Sequence, residues 1–235
     1  MKKLAITCML IAALSAAVPA HAAGKLSVSQ ENFHVVEGYS ITGYAYAKVE
    51  NVGDKPIKVN AGLLEIFDSE GDTLTSEDYL NAYASYLQPG EYTYTRMYER
   101  VEGIESADEV DDYMLTISGK SDADKVELRL PVVTEYQPNV EQGYWTRNYM
   151  FATVTNDTEY NIFGLEILLV LLDDEGNILY MDSESMYDSK GLTPGSSIII
   201  RKDVSSDFIK YFEANSYTPT TVDAIAYVTM DAPEE

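Results

Sequence analysis

The side chains that could do chemistry in this chain are almost all acids. Its 235 residues include 39 Asp and Glu against 16 Lys and Arg, with two His and one Cys. Cys8 and His21 lie in an N-terminal segment expected to be removed, which leaves His34 as the one imidazole. A Ser-His-Asp arrangement would rest on His34 alone, with no Gly-x-Ser-x-Gly elbow beside it. A thiol nucleophile and a zinc site both need side chains the mature chain lacks. No Gly-rich phosphate loop is present. His34 reads as a strand residue. Carboxylate pairs for glycoside hydrolysis can be drawn anywhere among 39 acids, so they single out no site. No catalytic residue and no cofactor are expected.

Two acidic turns offer oxygen ligands of the kind Ca²⁺ takes: Asp68-Ser69-Glu70-Gly71-Asp72 and Asp173-Asp174-Glu175-Gly176-Asn177. Neither has the closing Glu of an EF-hand loop. They read as hairpin turns whose Gly supplies a positive φ, and no metal is assigned.

Tyrosine is the other distinctive side chain. Tyr79, Tyr83, Tyr86, Tyr92 and Tyr98 cluster within two strand segments and the turn between them. Tyrosine suits recognition: a large apolar ring, few rotors and one polar tip. These five are the candidate ligand-binding residues. Tyr94, in the same run, reads as a core residue.

The scaffold that must position them repeats at a spacing of 105 residues. Gly38, Tyr44, Val49, Asn51, Asp68, Glu70, Gly71, Leu74, Leu87, Pro89, Gly90 and Arg96 fall on Gly143, Tyr149, Val154, Asn156, Asp173, Glu175, Gly176, Leu179, Leu192, Pro194, Gly195 and Arg201 without a gap. A unit of this length is a whole small domain. Each of the five candidate tyrosines meets a different residue in the second copy, so the scaffold itself does not require them. Short alternating runs rich in Val, Ile, Thr and Tyr recur between turn residues, the pattern of an all-β sandwich. In Ile41–Asn51, Ala45, Ala47 and Val49 face one way and Tyr44, Tyr46 and Lys48 the other. Leu165–Leu172 is almost continuously apolar, as for a strand buried on both faces. Tyr113–Ser118 and Lys125–Leu130 are expected to close the first copy. Past Arg96 and Arg201 the copies diverge, with Val110 matched to Val222 and about seven extra residues in the second. Ser206–Phe212 reads as a short helix capping the end of the second sandwich.

Met1–Ala22 has the build of a secretory signal: Lys2 and Lys3, an apolar run, then Ala20-His21-Ala22. Its removal takes the 16 basic residues to 14 and the formal charge from −23 to −25. The organisation is therefore a signal peptide (1–22), a first sandwich (23–130) and a second (131–235). Such acidity excludes nucleic acid and anionic membrane surfaces as partners. No later apolar run is long enough to insert in a membrane.

Val49-Glu50-Asn51, Leu64-Glu65-Ile66-Phe67-Asp68 and Leu87-Gln88-Pro89-Gly90 are matched by Val154-Thr155-Asn156, Leu169-Val170-Leu171-Leu172-Asp173 and Leu192-Thr193-Pro194-Gly195. On these motifs the chain resembles the FxLYD-type domains of bacterial extracytoplasmic proteins, with only the Asp of the naming motif strictly kept. The resemblance implies two tandem immunoglobulin-like β-sandwiches on a secreted, periplasmic or envelope protein, and it brings no catalytic residues. The expected function is a non-catalytic binding or adhesion module for an envelope protein or glycan. A structural spacer in a surface assembly is the alternative, and a carboxylate-based glycoside hydrolase a third reading. With Cys8 removed there is no thiol left to pair. Urea unfolding of the exported protein should therefore be identical with and without reductant, and N-terminal sequencing should begin at Ala23.

Overall fold

Valine, isoleucine, threonine and tyrosine favour strands because their side chains fit a pleated, half-buried surface. A computed structural model describes residues 24–121, 124–187 and 189–232. The expected signal segment lies outside the described residues. The first half contains β1 (Leu26–Glu37), β2 (Ile41–Asn51), β3 (Ile57–Phe67), β4 (Thr73–Glu77), β5 (Asn81–Ala82), β6 (Tyr86–Leu87), β7 (Tyr92–Arg100) and β8 (Asp112–Lys120). The second contains β9 (Lys125–Leu130), β10 (Val132–Gln142), β11 (Trp145–Thr155), β12 (Leu165–Leu172), β13 (Ile178–Met186), β14 (Ser197–Asp203), α1 (Ser206–Asn215) and β15 (Thr221–Asp231).

These strands form an all-β sandwich architecture of four stacked sheets. In the first half, β1-β2-β7-β5 faces β4-β3-β6, with β8 along the other edge of β3. Ala45 and Met97 meet Leu64 and Ile66 between them. In the second half, β13-β12-β15-β9 faces β10-β11-β14. One large apolar cluster then runs from Tyr46 and Tyr94 of the first half, through Leu168 and Leu169, to Met150 and Ile200. The two inner sheets, holding β2 and β12, are thus covered on both faces. That accounts for the apolar run of β12, of which Ile167–Leu171 is fully buried.

The repeat is visible in individual bonds. Asn51 is fully buried, and its Nδ2 donates to the carbonyls of Lys55 (2.8 Å) and Leu87 (3.0 Å) while its Oδ1 accepts from the Gly53 amide (3.0 Å). Asn156 does the same with Tyr160 (2.8 Å), Leu192 (2.7 Å) and the Thr158 amide (3.0 Å). Each Asn therefore ties a strand end to the turn that carries Pro-Gly, where Gly90 and Gly195 have φ of 82° and 72°. Gly71 and Gly176 sit at φ of 83° and 85°. The β3–β4 and β12–β13 hairpins carry the same bulge, between Ile66 and Phe67 and between Leu171 and Leu172.

Three expectations are corrected. Lys125–Leu130 does not close the first sandwich: β9 pairs with β15, from Lys125 opposite Asp231 to Leu130 opposite Ala226. The chain thus enters the second unit at β9, before residue 131. The divergent loop is shorter than expected, because Phe67 pairs with Asp112 where Leu172 pairs with Thr221. Tyr113, not Val110, therefore matches Val222, and the excess is four residues. The helix forms, with Ser205 as its cap, but it does not lie over the sandwich end. Phe208 packs edge-on against Tyr44 of the first half and Tyr180 of the second, so α1 covers the junction of the two.

Replacing Asn51 by Ala leaves two carbonyls and the amides of Gly53 and Lys25 without their partner. The expected loss is about 3 kcal/mol in urea unfolding, and Asn156→Ala should cost as much. Gly71→Val, which forces a β-branched residue to positive φ, should cost about 1–2 kcal/mol.

Candidate functional site

The candidate tyrosines are divided by the fold. Strand β7 places Tyr92 and Tyr98 on the face that turns away from the first core, and that face abuts the second half. The Tyr92 and Tyr94 hydroxyls both donate to Asp223 Oδ2, at 3.2 and 2.7 Å. Tyr83 packs on the second core. Tyr86 accepts from Lys58 Nζ at 2.8 Å, and its amide donates to Glu127 of β9. Tyr83, Tyr86 and Tyr92 are thus half-buried parts of the seam between the halves. Tyr79 and Tyr98 are 69 % and 46 % exposed. Glu77 lies close to both: its carboxylate accepts the Tyr79 amide at 2.6 Å, and it acts on the carboxyl of Glu99, next to Tyr98. The Tyr79 amide holds the Glu77 carboxyl below the usual range, while burial and then Glu77 push Glu99 up.

The seam is polar, and hydrogen bonds cross it, many of them to backbone. From edge strand β1, Gln30 Nε2 donates to Gly176 O, Asn32 Oδ1 accepts from Ile178 N (3.2 Å), and His34 Nε2 donates to Ile178 O (2.8 Å). Arg96 donates to Met181 O (3.1 Å), and Arg129 of β9 donates to Tyr92 O (2.6 Å). His34 is buried among the rings of Tyr46, Tyr211 and Tyr217, with Tyr211 Oη 3.4 Å from Nδ1. A neutral ring protonated on Nε2 satisfies both contacts. His34 is therefore a structural group, and burial lowers its pKa below the usual 6.5. Burial raises the Glu127 carboxyl to about 7; its Oε1 accepts the Tyr86 amide and its Oε2 has no partner.

The acidic turns are closed on themselves. Asp68 Oδ1 accepts the amides of Glu70 and Asp72, both at 2.9 Å, and Asp173 Oδ1 those of Glu175 and Asn177, at 3.0 and 2.7 Å. The carboxylates that suggested calcium thus hold the hairpins.

A second region escaped the sequence reading. In the first half the chain leaves β3 after Glu77 and crosses to pair with β7, Asn81 opposite Arg96 and Ala82 opposite Thr95. Leu80 and Ala82 pack into the side of the core as it crosses. Gly62 makes room, since a Cβ there would lie 2.7 Å from Met97 Sδ and 3.1 Å from Leu80 Cδ1. The second half has Ile167 at that position, and β13 stays on β12 to its end, Met186 opposite Leu165. Among the described residues β14 pairs with β11 alone, so its outer edge is open. Beside that edge lies a slot of about 210 Å³ lined by Ile162, Leu165, Met186, Leu192 and Ile198. Tyr160, Phe163 and Tyr187 are half-exposed or more around this end. Phe163 lies under 3 Å from where a Gly191 Cβ would be, and Tyr187 at 3.8 Å from that of Gly164. The signal was available in the repeat: Lys55, Lys58 and Ala82 of the first copy become Tyr160, Phe163 and Tyr187.

No family model and no curated protein matches the chain. Among solved structures it is similar to the VP2 subviral particle of infectious bursal disease virus, with a TM-score of 0.24 and 11 % identity over 94 % of this chain and 70 % of that one. T=1 particles derived from the same virus give 0.24 and 11 % over 94 % and 68 %. Likeness at this level carries no argument.

The two buried titrating groups give opposite pH responses. The contribution of neutral His34 is complete above 6.5 and is lost as pH falls through its lower folded value. That of protonated Glu127 is complete below 4.5 and is lost as pH rises through about 7. Urea midpoints measured between about pH 5 and 8 should flatten on the acid side in His34→Gln and on the neutral side in Glu127→Gln.

Proposed function

We propose that the chain is a non-catalytic binding module, exported through its N-terminal segment to the cell envelope or the medium. The observation that carries this reading is the open side of the second sandwich. There a slot lined mostly by apolar side chains, an unpaired strand edge and the exposed rings of Phe163 and Tyr187 meet on an otherwise acidic protein. Exposed aromatics gathered at one concave place are what recognition surfaces use, whereas scattered ones are ordinary. The seam supports the same reading, since it fixes the two halves as one rigid body on which such a surface can be presented. The resemblance to extracytoplasmic sandwich domains supports the same compartment. The ligand is an envelope protein or glycan.

The exported chain, immobilised, should retain a component of the cell-envelope fraction. Phe163→Ser with Tyr187→Ser should weaken that retention at least about tenfold, by removing aromatic anchors, with the urea midpoint unchanged. If Tyr79→Ser with Tyr98→Ser has that effect instead, the site lies on the first half.

A further inference from the structure

The two halves share a scaffold yet treat one edge differently, and the difference describes a missing strand. In the first half the edge of β7 is covered by the chain's own segment Tyr79–Ala82, with Leu80 and Ala82 turned into the core and Asn81 opposite Arg96. In the second half the equivalent edge, β14, has no such cover among the described residues. The equivalents of Leu80 and Ala82 are Ser185, held on β12 opposite Glu166, and Tyr187, which is exposed with its hydroxyl on Glu166 at 2.7 Å. The slot lies at Ile198, the equivalent of Thr93, so a strand in the register of Asn81 and Ala82 reaches it two residues beyond the place of Ala82, while the place of Leu80 falls opposite Lys202 beside Ile167.

We infer that β14 takes an extended peptide segment of a partner protein as an added strand, apolar at the alternate positions opposite Ile200 and Ile198 and acidic at the position opposite Arg201. Main-chain hydrogen bonds along an open edge supply affinity, and alternate side chains supply specificity. The acidic position follows from charge. Arg96 of the first half is half-buried and donates across the seam, but its equivalent Arg201 is exposed, 4.7 Å over the Tyr149 ring. The residue that takes the place of Asn81 would lie opposite Arg201, where a carboxylate is favoured. A second copy of this chain is the poorer occupant. Two β14 strands paired antiparallel about Ile200 would set Lys202 of one copy against Ile198 of the other, at the mouth of an apolar slot, in a chain of formal charge −23.

This inference rests on the binding reading above and adds the partner's chemistry. The probe is a synthetic peptide of residues 77–84, Glu-Asp-Tyr-Leu-Asn-Ala-Tyr-Ala, and a version with Asp in place of its Asn, titrated into the exported chain. Amide exchange and chemical shifts are read at Ser197–Asp203. The outward amides of β14 should exchange slowly in the free protein only where bonded to β11, and the remainder should slow at least about tenfold with peptide. The Asp version should bind more tightly. A peptide carrying Asp in place of both Ala should not bind. Arg201→Glu should weaken the Asp version and restore affinity to a Lys version. The idea is overturned if the free edge is already protected, if protection grows with protein concentration alone, or if the peptides protect other strands or none. Should Phe163→Ser with Tyr187→Ser still abolish envelope retention while β14 stays unprotected, the binding reading stands and strand addition fails.

Discussion

Covering both faces of the sheet that holds β2 is the constraint on which the rest depends. A sandwich needs only one apolar face per sheet, and Ala45, Ala47 and Val49 supply it to the first core. The opposite face carries His34, Tyr44, Tyr46, Lys48, Tyr94 and Arg96, which would be ordinary on a solvated sheet. Here it is pressed against the second half, so each polar atom must find a partner in protein. It finds them largely in backbone: Ile178, Gly176 and Met181 receive or supply bonds from His34, Asn32, Gln30 and Arg96. Side chains that bond backbone fix position more than they fix sequence. The seam thus ties the tip of the β12–β13 hairpin to an edge strand of the other half. The strand β9 completes the join, because it pairs with β15 while its Glu127 and Arg129 reach Tyr86 and Tyr92.

This arrangement also explains the tyrosines gathered on β7 and the segment before it. A ring with a hydroxyl can fill an interface and still satisfy its polar tip. Tyr92 and Tyr94 do so on one carboxylate, Asp223. Lys48 lies over the Tyr92 ring at 3.9 Å, and Arg96 over Tyr98 at 5.3 Å, so the few cations near the seam rest on aromatic faces. Difference between the two copies therefore marked an interface as readily as a ligand site. A tyrosine absent from the other copy is free of the sandwich's own needs but not of the needs of the pair.

How far the sequence could be read follows from the range of each interaction. The limits of β2 and β12 were legible because they depend on alternation and on local turns. The turn roles of Gly71, Gly90, Gly176 and Gly195 were legible for the same reason, since positive φ is a local demand. Asn51 and Asn156 were legible only in part. A bond to the amide two residues on is local chemistry, but the donation from Nδ2 to Leu87 and Leu192 joins positions 36 residues apart. Asn156-Asp157-Thr158 spells a glycosylation sequon, and the same burial removes its Asn as an acceptor, as both its amide protons are engaged. The partner of β9 and the place of α1 were not legible, because sheet membership and helix docking are decided by contacts between halves.

The last step concerns why one half closes its side and the other does not. An open edge next to an apolar slot is a liability in any sheet protein, and chains usually cover, shorten or charge such edges. The first half covers its edge, and a single glycine, Gly62, gives Leu80 the space to cross. The second half places Ile167 there, buried and filling that space with its own side chain, and β13 remains paired along its full length. What is left is charged rather than covered: Arg201, Lys202 and Asp203 end β14, with Lys202 paired to Asp182 and Glu184. Charge at one end of the edge discourages like edges from meeting, while the apolar end near Ile198 stays accessible. An edge protected in this way rejects copies of itself and still admits a strand of matching pattern. The two halves thus differ at the place where covering the edge would cost the molecule a surface.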